Sequence, residues 1–385
     1  MRVRRSWVAP VLATATVAGL GAVGVATATA GPKPSPAVVA PVTGATFNNP
    51  TRAASRYALR DQLVTLVNGA PTGSLVSFSM FHLNDNRFAD AVLAASRRGV
   101  RVRAVFESSW ASTPSAKRLV AGLGSDRRRP SWALVCGHGC IGSKINHNKF
   151  YLFSSTGGAR HVVVQSSANV TPSNATSYWN NSVTLVGNTP LYNAYLGYFT
   201  DLAARRRDSD YYRTVNAGDV KAYFFPRAGS GAASDTVYNA LSNVACTGNR
   251  KGMGTADGRT VIRVGMWGFS RVEVARRLAA LGGRGCVVQV VSSVLAPEAK
   301  AALRGRRNVS LRLLPEGGRY IVHSKYLLVE GGYGQARNQK VTFTGSHNLT
   351  RAALRLNDET MLRIDQDAVH DQYRGNFGQV WAVAG

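Results

Sequence analysis

The spacing of apolar positions changes along the chain, and each change marks an element. Between Arg52 and Val67, residues Ala58, Leu59, Leu63 and Leu66 recur at helical spacing, which predicts a helix with one buried face. Gly69-Ala-Pro71-Thr-Gly73 ends it. Leu75 to Leu83 is a β-prone run, Asp85 to Arg98 returns to the helical period, and Gly99 stops that helix before a strand over Val100 to Phe106. The order then recurs. Ala233 to Val244 predicts a helix, Thr260 to Phe269 a strand, Arg271 to Leu281 a helix stopped by Gly282-Gly283-Arg284-Gly285, and Val287 to Val291 a strand. Details repeat too: Phe78-Ser-Met80-Phe81 answers Val264-Gly-Met266-Trp267. The chain therefore reads as an internal duplication of about 170 residues joined near Tyr212 to Val220. Strands alternating with helices of this length predict an α/β fold with largely parallel sheets.

Each half closes with two more apolar runs, and these carry polar residues in a repeated order. His147-Asn-Lys149 opens Phe150 to Phe153, and Ser167-Ala-Asn169 follows the next run. His323-Ser-Lys325 opens Tyr326 to Val329, and Ser346-His-Asn348 follows Lys340 to Thr344. The serines lie 18 and 21 residues after their lysines. Period-2 alternation puts His and Lys of each pair on one face of a strand. A lone His-x-Lys is commonplace on a surface; two copies at matching places argue for one shared site. An imidazole can attack or protonate, and an ammonium with small donors can hold anionic oxygens. That is a set for handling phosphate.

Composition narrows the setting. Arg2, Arg4 and Arg5 precede an apolar stretch and a small-residue site at Ala28-Thr29-Ala30, so residues 1–30 read as an export signal cleaved near Ala30. Residues 31–45, rich in Pro, Ala and Gly, read as a flexible lead-in. No other stretch has the ~18 apolar residues a membrane span needs. The net charge is +27, with 38 Arg against 9 Lys. Such an excess suits a polyanionic partner: nucleic acid, an anionic lipid surface or an acidic wall polymer. Solubility and an Arg-favouring base composition explain it equally. An exported chain with four cysteines predicts the pairs Cys136–Cys140 and Cys246–Cys286; the rival is a metal site through Cys136, His138 and Cys140.

The doubled motif resembles the phospholipase D superfamily, whose signature is His-x-Lys-x4-Asp followed by Gly-Ser-x-Asn, once per half. The likeness spans the mature chain, with halves at 46–215 and 220–385. This chain departs at Ser154 and Glu330, in place of the Asp, and at Ser166, in place of the Gly. The resemblance implies two α/β halves, each with a mixed, largely parallel sheet flanked by helices, and an active site at their pseudo-two-fold interface. It implies His147 as nucleophile and His323 as acid/base, although the residues alone allow the reverse. Lys149 and Lys325 would neutralise the phosphate, and Ser167, Asn169, Ser346 and Asn348 would bind its oxygens. Glu359, in Asn357-Asp358-Glu359, would stand behind a histidine: His323 by sequence order, or His147 if it crosses the axis. The first half offers Asn180-Asn181 there. No metal or cofactor is implied, because lysines supply the charge. The expected function is a secreted, monomeric phosphodiesterase of phospholipase D type, hydrolysing or transferring the distal phosphodiester of phospholipids through a phosphohistidine. A metal-independent endonuclease and a non-catalytic envelope- or DNA-binding protein are the alternatives. Trp110, Trp132, Trp179 and Trp267 fall near strand ends, where aromatics would rim a cleft or fill its walls.

Overall fold

The computed structural model describes residues 40–385. The expected export signal, residues 1–30, and residues 31–39 of the expected lead-in lie outside the described residues. The end of that lead-in is ordered, contrary to expectation: Gly44 and Ala45 begin a strand paired with Thr184 and Val183.

In chain order the first half contributes β1 (Gly44–Phe47), α1 (Ala58–Asn68), β2 (Leu75–Met80), α2 (Asn86–Arg97), β3 (Arg101–Glu107), α3 (Pro114–Leu123), β4 (Trp132–Cys136), β5 (Lys149–Thr156), β6 (Ala159–Ser166), α4 (Pro172–Thr176), β7 (Tyr178–Trp179), β8 (Asn181–Leu185) and α5 (Thr189–Ala204). Seven strands form one sheet in the order β1-β8-β6-β5-β2-β3-β4. The local reasons are those in the sequence. Asp85 accepts from the Phe88 N–H and caps α2, whose Phe88, Ala89, Val92 and Ala95 line one buried face. Gly99, at φ +88°, then turns the chain into β3.

The second half contributes β9 (Arg213–Ala217), β10 (Val220–Phe225), α6 (Thr236–Ser242), β11 (Val244–Ala245), β12 (Val261–Phe269), α7 (Val272–Gly283), β13 (Val287–Leu295), α8 (Pro297–Leu303), β14 (Val309–Leu313), β15 (Ile321–Val322), β16 (Lys325–Tyr333), β17 (Ala336–Gly345), α9 (Arg351–Arg355), β18 (Glu359–Ile364) and α10 (Asp367–Val383). Its sheet runs β14-β13-β12-β16-β17-β18-β10-β9, with β11 on β16. β9 begins at Arg213, so the strand belongs wholly to this sheet although the first half was expected to reach 215.

Both sheets are mixed, as expected, but their balance is not largely parallel. Within them parallel pairing is confined to β2–β3–β4 and β12–β13–β14. The His-x-Lys strands return at once as the hairpins β5–β6 and β16–β17, which must pair antiparallel. Each half keeps an outer core, one around α1, α2 and α3 and the other around α6, α7 and α8. A third core lies between the sheets and gathers Tyr195, Tyr198 and Leu202 of α5, packed on Phe150 and Phe224, together with Tyr373, Phe377 and Val380 of α10, packed on Phe47 and Tyr326. The two sheets thus face each other across α5 and α10, and the strand ends carrying both motifs meet at one edge of that layer.

Candidate active site

Strand pairing places the two histidines. The N–H of His147 donates to the carbonyl of Asp358 at 3.0 Å, and that of His323 donates to the carbonyl of Trp179 at 2.9 Å. Each histidine is therefore seated by backbone from the other half. The residue after each carbonyl then faces the ring. Glu359 lies with Oε1 at 2.9 Å and Oε2 at 3.1 Å from Nδ1 of His147, and Asn180 Oδ1 lies 2.9 Å from Nδ1 of His323. Sequence order had put Glu359 behind His323. The structure crosses it to His147, because β18 delivers Glu359 beside the segment that enters β5.

The backing groups are themselves held. Ser346 Oγ donates to Glu359 Oε2 at 2.5 Å, and Asn357 Nδ2 to Oε1 at 3.1 Å. Ser167 Oγ donates to Asn180 Oδ1 at 2.9 Å, while Asn180 Nδ2 donates to the Asn174 carbonyl at 3.1 Å. That second bond fixes the amide so that its oxygen faces His323, which must then carry its proton on Nδ1. Ser167 and Ser346 were expected at the phosphate oxygens. Both are fully buried and their hydroxyls are committed behind the histidines instead. Asn169 and Asn348 differ. Among the described residues neither side-chain amide makes a hydrogen bond, and both Oδ1 atoms are buried without a partner. These two amides remain available to an incoming ligand.

The lysines complete the set. Lys149 Nζ donates to the His147 carbonyl at 2.6 Å, and Lys325 Nζ to that of His323. Lys325 Nζ also lies 3.2 Å from His323 Nδ1, but a nitrogen donating to Asn180 has no lone pair for it. Burial, then Lys149 and Lys325, hold the His147 imidazole well below its ordinary value. Burial, Lys325, Lys149 and His147 do the same to His323. Burial pushes Lys149 down to about 7 and Lys325 well down too, with Glu359 pulling both back up. Glu359 is pushed up to about 8 by burial, against Lys149, Ser346 and Asn357. Burial thus drives each of these titratable groups toward its neutral form. A bound phosphodiester anion would restore the positive charge to the lysines and to one of the two imidazoles, leaving the other neutral. Among the described residues no three His, Cys, Asp or Glu side chains are placed to hold a metal ion. The donor set is one for an anion.

Aromatic rings wall the site on both sides, at the repeated tetrapeptide. Phe81 packs 4.9 Å from the His147 ring, with Lys149 Nζ 4.9 Å above its face. Trp267, its counterpart, lies 5.6 Å from the His323 ring, with Lys325 Nζ at 5.7 Å. Tyr178 stacks on His323 at 5.6 Å. Trp110 is 40% exposed and stacks on His82 at 3.9 Å and 12°, a neutral ring because burial and then Lys149 push it down to about 4. Trp132 and Trp179 are buried in the core rather than on a rim.

The motif departures prove structural. Glu330 pairs with Arg263 at 2.7 Å and Arg374 at 3.5 Å, and Ser154 Oγ accepts from the Leu75 N–H at 2.8 Å. Both cysteine pairs are disulfides, Cys136–Cys140 and Cys246–Cys286; the rival metal site loses its thiolates. The role of Asn180 was not assigned from the sequence, yet a signal existed. It stands 13 residues after Ser167, and Glu359 stands 13 after Ser346.

The family described as "Cardiolipin synthase, PLD-like domain" matches residues 65–202 and 256–381. No curated protein matches the chain. Among solved structures, phosphatidylserine synthase of Haemophilus influenzae Rd KW20 is similar at 11% identity and a TM-score of 0.59, over 86% of this chain and 85% of that one. Polyphosphate kinase of Porphyromonas gingivalis is similar at 15% identity and a TM-score of 0.57, over 88% of this chain. The match spans only 50% of the kinase's length. At such identities these likenesses concern the fold.

Proposed function

The chain belongs to the phospholipase D superfamily, through the family that matches both its halves, and from that premise we propose that it is a phosphodiesterase of phospholipase D type acting through a phosphohistidine. The observation that carries the reading is the crossed backing of the two histidines: a carboxylate behind His147 and a neutral amide behind His323. Glu359 holds the proton of His147 on Nδ1, which bares the Nε2 lone pair for attack and stabilises the charge the ring gains. Nε2 bonds to phosphorus as the bond to the leaving oxygen breaks, and that oxygen takes the Nε2 proton of His323. His323 then removes a proton from water, whose oxygen displaces His147 from phosphorus. An alcohol in place of water gives transfer instead of hydrolysis. Lys149, Lys325, Asn169 and Asn348 hold the non-bridging oxygens throughout.

For the substrate, the proposal is the distal phosphodiester of a phospholipid. The family's description as cardiolipin synthase supports it, and so does the +27 charge, which suits an anionic membrane surface. Among the described residues no helix is long and apolar enough to cross a membrane. We also propose export, supported by the N-terminal segment and the two disulfides. One observation favours nucleic acid as the second reading: Trp110, exposed and stacked flat on the half-buried His82, is a platform a base could extend. The test is one purified batch, with EDTA present, on phosphatidylcholine vesicles and on plasmid DNA. Head-group release without DNA cleavage supports the lipid reading, the converse selects the nuclease, and activity only when a divalent ion is restored overturns the mechanism.

A further inference from the structure

The two histidines are seated alike but not equally well, and the difference lies one residue before each backing group. At the His323 side that residue is Trp179, an apolar side chain packed in the central core. At the His147 side it is Asp358, an acid with no exposed surface. Its carboxylate accepts backbone N–H bonds from three successive residues of the first half: Cys140 at 2.6 Å, Ile141 at 3.1 Å and Gly142 at 2.5 Å. Both oxygens are used as acceptors. Such a row of amides is a preformed anion cradle, provided the chain that carries it stays curled.

The curl is held on two sides. The disulfide Cys136–Cys140 closes the turn, with His138 at φ 56° and Gly139 at φ 78°. From the surface, Arg207 donates to the carbonyls of Gly137, His138 and Gly142. Gly142 lies against the Leu356 and Asn357 backbone so closely that a Cβ there would stand 2.3 Å from the Leu356 carbonyl oxygen. A second buried acid, Glu107, ties the same turn to the strand entrance, accepting from the N–H of Gly139 at 3.3 Å and of Asn146 at 2.6 Å. The segment then runs straight into His147, whose N–H returns to the Asp358 carbonyl. Glu359 follows Asp358 directly.

Building on the phosphohistidine reading above, we infer that Asp358 and the disulfide-closed turn 136–142 form a clamp that positions Glu359 on Nδ1 of His147, so that the rate of nucleophilic attack depends on the clamp being whole. Asp358 touches neither ring nor substrate; it is a positioning residue. Its carboxylate adds a side-chain link to the backbone bonds that join the halves here, Ser143 and Lys144 to Leu356, Asp358 to Ile145 and His147 to Asp358. The clamp serves the nucleophile's half alone, since Trp179 takes the corresponding place behind His323. Small displacements matter here, because a misplacement of about 1 Å at a reacting group lowers rates by about 100-fold.

The test compares Asp358→Asn, Cys136→Ser/Cys140→Ser and the surface variant Arg207→Ala with Cys246→Ser/Cys286→Ser, whose bridge lies in the outer core of the second half. Two readouts are taken on the full chain. One is the low-field proton resonance of the His147 Nδ1–H···Glu359 bond in protein labelled with 15N-histidine. The other is single-turnover formation of phosphohistidine on an aryl phosphodiester. The expected result is loss or an upfield shift of the resonance in Asp358→Asn and in the 136/140 variant, with attack slowed about 10- to 100-fold and KM within about twofold. Arg207→Ala should show a smaller change of the same kind. The 246/286 variant should melt earlier with resonance and attack rate intact. The inference is overturned if Asp358→Asn or the 136/140 variant folds with both readouts unmoved, or if the 246/286 variant moves them as much. Should both clamp variants fail to fold, Arg207→Ala decides alone. A wild type without phosphodiesterase activity defeats the functional reading, and the resonance still judges the clamp.

Discussion

Replacing Glu359 with Gln isolates what the carboxylate does for His147. Gln has the same shape and keeps an oxygen for the Nδ1 proton, but removes the charge that lies 2.9 Å from that nitrogen. A hydrogen bond to a charged group contributes about 1.5–3 kcal/mol, and each 1.36 kcal/mol is tenfold in rate. At pH 8 and above, where Glu359 is ionised, attack should therefore slow by about 10- to 150-fold. The step can be isolated with two phosphodiesters, one with an aryl leaving group that departs without a proton and one with an alkyl group that needs it. Rapid quenching and trapping of the phosphohistidine measures the rate. Glu359→Gln should slow both substrates by one factor, whereas Asn180→Ala, acting through His323, should slow the alkyl substrate far more. The pH profile adds a second signature. The productive form needs Glu359 ionised, and burial delays that to about 8, so attack by the wild type should rise with pH toward 8 at saturating substrate, where the bound anion holds Lys149 and Lys325 in their charged forms against burial. The variant should lack that limb. Unchanged attack in Glu359→Gln, or phosphoryl trapped on His323, would refute the assignment.

Two further outcomes concern stability. Glu359 keeps its proton to about 8 in the fold, above its ordinary 4.5, so between those values this group gives the folded state more protons and its own contribution to stability falls as pH rises; in urea titrations Glu359→Gln should gain on wild type from about 4.5 to about 8, and a variant that does not gain on wild type across this window would contradict the burial argument. Opening Cys246–Cys286, which closes 40 residues, should lower stability by about 2–4 kcal/mol from loop-closure entropy; an unchanged denaturation midpoint would show that the bridge constrains little.

Much of this was legible because it is local. The helices α2 and α7 follow from apolar spacing and a stop glycine, and α2 from its Asp85 cap as well. The strands β5 and β16 follow from apolar runs, but each begins at its lysine, and His147 and His323 stand two residues ahead, seated by backbone of the other half rather than by strand alternation. The likeness of Phe81 and Trp267 was visible as a repeated tetrapeptide, and each proves to wall one His–Lys pair. Where local rules end, expectation failed. Parallel pairing was overestimated, since alternation of strands and helices does not reveal that β5–β6 and β16–β17 return as hairpins. The serines were sent to the phosphate because a hydroxyl suits it, while their buried oxygens already serve Glu359 and Asn180.

The sequence by itself determined the duplication, the two motif sets and the chemistry they can perform, because residue type and short-range spacing are carried along one strand or helix. Only the tertiary structure decided which backing group serves which histidine. That choice depends on contacts between residues 212 apart, His147 with Glu359, and 143 apart, His323 with Asn180. They exist because each half lends backbone to seat the other's histidine. Spacing within a half cannot encode a pairing that crosses between halves, so the carboxylate that looked like the follower of His323 belongs to His147.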